Sequence, residues 1–189
     1  MKYTVAFRIW HWLNALIVIG LVGTVLLRES FLGVKTNAEI FISKLSEMSI
    51  EITQQQAKIL AKAVRDGMWE WHYILGYALA FLVLFRIYLF FKDSSVKENF
   101  SSLSLHKKGV KSLYYILYGT LFFMAISGLI IHFYESLHMT KAFVNNIQEL
   151  HESIYNFILI FIPLHIAGVV IAELRGEKGL ISTMVNGKN

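Results

Sequence analysis

Hydrophobic positions fall into four long runs separated by polar stretches. They cover roughly residues 9–27, 71–91, 113–132 and 151–172. Each is close to the length at which a helix crosses a bilayer, about 20 residues. The second run is interrupted by one charge, Arg86, and the fourth is entered from His151 and holds Pro163, the only proline of the chain. Nothing else of that kind stands in the way of long helices. A cleaved leader is the alternative for the first run, because Lys2 and Arg8 precede it. That run has no small-x-small cleavage site and carries His11 at its start, which favours a retained span.

The stretch between the first two runs has a pattern of its own. Thr36-x-x-Glu39 and Thr53-x-x-Gln56 each match a capping box, and each opens a segment with apolar residues at helical spacing. In the second segment Ile59, Ala63 and Val64 form a stripe opposite Lys58, Lys62 and Arg65. The expectation is an all-α chain: an integral-membrane four-helix bundle with two short periplasmic helices between the first two spans. Those helices would lie on the lipid surface or under a partner. The whole chain, 1–189, reads as a single domain.

Composition sharpens this picture. Hydrophobic residues make up 56% of the chain, above the usual share for a soluble domain. There is no cysteine, which excludes disulfides, thiolate-held iron–sulfur clusters and haem attached through Cys-x-x-Cys-His. The net charge of +5 does not point to nucleic acid, because the basic residues sit between apolar runs rather than on one patch. The connection 86–111 carries six basic and two acidic residues, whereas 28–66 carries six basic and five acidic. By the excess of Lys and Arg on the cytoplasmic side, both termini and the second connection are predicted to be cytoplasmic. The location is then the bacterial inner membrane, crossed several times and in contact with lipid.

The candidate chemistry lies in the histidines. His151 and His165 stand 14 residues apart, close to four helical turns, so both leave one face about 21 Å apart along the axis. A histidine inside a span is costly and marks function by default. Two on one stripe imply two sites stacked across the membrane, and neutral imidazole ligating haem iron fits that arrangement. With the amino terminus inside, His11 lies near the cytoplasmic face and His72 begins the second span on the periplasmic face. Depth therefore pairs His72 with His151 and His11 with His165, giving two bis-histidine b-type haems. One such histidine would be better explained as packed and bonded to a backbone carbonyl; two depth-matched pairs favour haem. Arg86 lies 14 residues after His72, on the same face at the depth of the cytoplasmic pair. It can pair a haem propionate through its planar fork or snorkel to the interface. Arg8, three residues before His11, is a second propionate candidate, equally explained as a basic flank. His132 ends the third run as a competing periplasmic ligand, while His106 and His138 fall in connections. No side chain is singled out as catalytic. Glu70, Glu152 and His106 are the titratable groups near the two ends.

Three stretches carry a resemblance: Phe7-Arg8-Ile9-Trp10-His11-Trp12-Leu13-Asn14, His72-x3-Gly76-x9-Arg86, and His151-Glu152-x12-His165. Together they resemble the bacterial cytochrome b561 family, which includes the cytochrome b subunits of nickel–iron hydrogenases and has the superoxide oxidases among its relatives. The resemblance covers all four spans. It implies haem ligands at His11, His72, His151 and His165, and electron exchange between a membrane quinone and a partner or small oxidant outside.

The expected function is transmembrane electron transfer, as a subunit of an oxidoreductase, between the quinone pool and a periplasmic redox protein such as a hydrogenase or a cytochrome. Two haem b groups are the cofactors and quinone is the substrate. One alternative is a superoxide:quinone oxidoreductase. In superoxide oxidases the connection between the last two spans is the elaborate one, whereas here it is the first. The other alternative is a haem-free membrane anchor or transporter.

Overall fold

The computed structural model describes residues 3–92, 101, 103–176 and 178–187. The described residues form helices and turns: α1 (Val5–Glu29), α2 (Val34–Glu47), α3 (Gln54–Lys92), α4 (Leu105–Phe133), α5 (Lys141–Leu174) and α6 (Leu180–Val185). The protein is all-α, and α1, α3, α4 and α5 are each long and apolar enough to cross a membrane. Many large apolar side chains of these helices face outward, among them Leu16, Phe81, Leu84, Ile160 and Leu164, each more than 60% or at 60% exposed. Water would penalise such a surface, whereas lipid is its natural solvent. Lys2 and the charges in 93–100, which enter the orientation count, lie outside the described residues.

The helices extend past the predicted spans. α3 has 39 residues and α5 has 34, well beyond the requirement of about 20. The second predicted periplasmic helix is therefore not separate but forms the first turns of α3. Its start is the expected capping box: Gln56 Oε1 accepts from Thr53 N at 2.8 Å and Thr53 Oγ1 accepts from Gln56 N at 3.2 Å. No proline follows, and Gly67 alone does not interrupt the helix. The other predicted box fails. α2 begins at Val34 with Gly33 as its N-cap and no side-chain cap bond, so Thr36 is already inside the helix. Asn37 Nδ2 instead donates to Phe31 O and Gly33 O, tying the preceding turn to the helix. The connection before the fourth span is also more ordered than its sequence implied. Thr140 caps α5, accepting from Phe143 N, and starts the helix ten residues before His151.

The chain divides into two compact units, Met1–Leu16 with Tyr77–Asn189, and Ile17–Gly76. In the smaller unit, α2 packs on the start of α3 through Ala38, Ala57 and Ala61, with Val34, Phe41, Ile42 and Ile52 around them. Alanines at that contact let the two backbones come close. The stripe read from the sequence is not the one that buries: Ile59, Ala63 and Val64 are exposed, and the contact is made through Ala57 and Ala61 instead. Gly20 does the same for α1 and α3: a Cβ there would lie 3.0 Å from Leu75 Cδ1. In the larger unit, α4 packs along α5, with Leu121, Ala125, Ser127, Ile158 and Phe161 buried. After α5, Glu173 turns back to accept from Gly179 N at 2.7 Å and Ile181 N at 3.1 Å, which fixes the turn into α6. α6 then meets the start of α1, where Trp12 Nε1 donates to Met184 O at 3.2 Å. Gly187 closes on Arg8, with a φ of +77° and no room for a Cβ, which would lie 2.7 Å from Nη1.

Candidate functional site

The larger unit brings His11 of α1 and His165 of α5 together edge-on, with ring centres 6.2 Å apart and planes at 61°. Two imidazoles that share one metal need about 2 Å from each nitrogen to the metal and about 1 Å more from each ring centre to its nitrogen. The ring-centre separation of 6.2 Å is of that size. Aromatic walls hold both rings. Phe161 stacks on His165 at 5.6 Å and 10°, Tyr114 meets it edge-on at 6.1 Å, and Trp12 meets His11 edge-on at 5.4 Å. Among the described residues no three His, Cys, Asp or Glu side chains gather as a metal cluster. A planar macrocycle that supplies its own equatorial nitrogens requires only an axial pair.

Arg86 lies in this unit inside an aromatic cage. Its guanidinium carbon is 4.8 Å from the Tyr118 ring centre, 5.1 Å from Phe7 and 5.5 Å from Trp10. Nη2 donates to Tyr118 Oη at 3.5 Å, a long bond, and Nε is buried with no partner. Trp10 is itself fixed, since its Nε1 donates to Leu82 O at 2.8 Å. A cavity of about 160 Å³ opens beside the guanidinium, lined also by Tyr118 and Trp10. Arg8 Nε is likewise buried without a partner, while its Nη1 lies against Gly187. Each of these two permanent cations can pair an anion such as a carboxylate through its unpartnered Nε. The residues present thus fit a bis-histidine haem with carboxylate arms.

The other two histidines each have a hydroxyl neighbour within their own unit. In the smaller unit His72 Nδ1 lies 2.8 Å from Thr24 Oγ1. Trp69 meets the His72 ring edge-on at 5.4 Å, and Arg28 lies over Trp69 at 5.7 Å. In the larger unit His151 Nδ1 lies 2.7 Å from Ser127 Oγ. Ser127 is 2% exposed, and a Cβ on the adjacent Gly128 would reach the His151 ring at 3.6 Å. Thr24, Ser127 and Tyr118 went unremarked in the sequence. Thr24 had one signal, as the only hydroxyl of its apolar run; Ser127 and Tyr118 share theirs with Tyr114, Tyr115 and Thr120 and had none.

The remaining histidines stand apart from these arrangements. His132 packs edge-on against Phe133 at 4.6 Å and Tyr77 at 5.9 Å. His138 sits at φ +53° in the turn after α4, and His106 is in the first turn of α4.

Four membrane-length helices, with two imidazoles brought together and an arginine caged by aromatic rings among them, define a multi-pass membrane haem protein. A model of the prokaryotic cytochrome b561 family matches residues 2–187, and the chain belongs to that family. Neither a curated protein nor a solved structure matches it significantly. Membership brings haem b as the cofactor and transmembrane electron transfer as the activity.

Proposed function

We propose that the whole chain, 1–189, is one di-haem domain that carries electrons between the membrane quinone pool and a redox protein on the periplasmic side. His11 with His165, and His72 with His151, would hold the two haems. The pairing of the second set rests on depth counted along the sequence. The observation that carries the reading is the edge-on approach of His11 and His165 at 6.2 Å between aromatic walls. Bound haem supplies a one-electron carrier at each pair of ligands. The chain's residues do the rest. The imidazoles fix the carrier's position, the outward apolar helices keep water from it, and Arg86 and Arg8 neutralise its propionates. Both termini are cytoplasmic in this reading, by the distribution of Lys and Arg.

Quinol addition to the purified protein tests the function. Its b-type bands are expected to reduce on addition of a quinol and to reoxidise on addition of a water-soluble acceptor protein. Haem bands that a chemical reductant reduces and a chemical oxidant restores, but that no quinol reduces, would remove quinone from the reading.

A further inference from the structure

Two hydroxyls occupy equivalent positions beside two of the four proposed ligands. Thr24 Oγ1 lies 2.8 Å from His72 Nδ1, and Ser127 Oγ lies 2.7 Å from His151 Nδ1. Each hydroxyl has one proton, and each has a backbone carbonyl of its own helix to give it to. Thr24 Oγ1 donates to Leu21 O at 2.6 Å, and Ser127 Oγ donates to Phe123 O at 2.7 Å. A hydroxyl that has spent its only proton on a carbonyl can meet an imidazole nitrogen only as an acceptor. The nitrogen facing it must then carry a proton. With the hydroxyl protons on those carbonyls, Nδ1 of both His72 and His151 carries the proton and Nε2 keeps the lone pair.

We infer that Thr24 and Ser127 are positioning residues, each of which fixes the tautomer of its histidine so that Nε2 is presented to haem iron. The inference rests on the haem reading above and adds to it an asymmetry. His11 and His165 are held by the rings of Trp12, Tyr114 and Phe161. His72 and His151 are held by hydroxyl acceptors. A hydrogen bond from Nδ1–H to an acceptor makes the imidazole a stronger donor to its metal and fixes the ring orientation. A stronger donor favours ferric over ferrous iron, so these two bonds lower the potential of the haem they serve. Each hydroxyl is bound to its own helix one turn back, so ring orientation is set by the backbone and not by a flexible side chain.

Thr24→Val and Ser127→Ala remove the acceptors with little change of volume. Each is expected to raise the midpoint of one b-type component, to shift its ferric electron-spin resonance signal, and to weaken haem retention about ten- to a hundredfold. Thr24→Ser and Ser127→Thr keep the oxygen and should restore the wild-type potential and signal. The two contacts lie on different helix pairs, so Ser127→Ala still decides if Thr24→Val fails to fold. Wild-type protein with two haems, whose midpoints and ferric signals stay unchanged in both acceptor-free variants, overturns the inference and leaves the haem reading standing. Wild-type protein that takes up no haem overturns both.

Discussion

Arg86 concentrates the electrostatics of the larger unit in one side chain. It is permanently charged, lies among Phe7, Trp10 and Tyr118, and has a buried Nε without a partner. Three rings stabilise a cation by about 1–2 kcal/mol each at best, which does not offset burial of an unpaired charge. A propionate does. Arg86→Leu is therefore expected to lower the midpoint of the haem at His11 and His165, because a removed cation no longer disfavours the ferric form. At an effective dielectric near 20 and a separation of about 10 Å, that amounts to about 1–2 kcal/mol. A redox titration with both midpoints unmoved would refute the propionate assignment. The sequence revealed the histidines and arginines because each is conspicuous in an apolar run. It did not reveal Thr24 or Ser127, since a hydroxyl inside a helix ordinarily bonds its own backbone and nothing more. Both do so here, and the histidine contact is made with the oxygen left over.

At the scale of elements, hydropathy located the four crossings but not where their helices end. The apolar signal stops at the membrane boundary, whereas the hydrogen-bond ladder continues until a cap or a turn stops it. Thr53 and Thr140 set such starts well outside the bilayer run. The first predicted cap misled because Gly33 and Asn37 close the preceding turn, which leaves Thr36 nothing to cap. α6 escaped notice because six residues carry too little periodicity, and its anchor is the long-range contact of Met184 with Trp12. The α2–α3 contact rests on alanines with no exposed surface at positions 57 and 61. Ala61→Leu should overpack it, at a cost of about 1–3 kcal/mol. Limited proteolysis would then cut the 48–53 connection faster, while haem absorption stays at the wild-type level. Equal cleavage rates would mean that α2 is not held by this contact.

For the whole molecule, orientation is the property that the helices alone do not fix. The charge count puts α2 and the start of α3 outside and the α6 tail inside. The chain has no cysteine, so single introduced thiols report without background. Glu51→Cys in intact cells should react with a membrane-impermeant maleimide, and Lys178→Cys should react only after lysis. The reverse pattern would invert the topology and move the partner to the other face.

Four histidines are expected to hold two separable haems, and haem stoichiometry reads this out. Purified wild-type protein should contain two haem b groups per chain. His11→Leu and His165→Leu should each leave one and remove the same spectral component, and His72→Leu and His151→Leu should each remove the other. A wild-type ratio of one, or loss of a single shared component in His72→Leu and His165→Leu, would contradict the account.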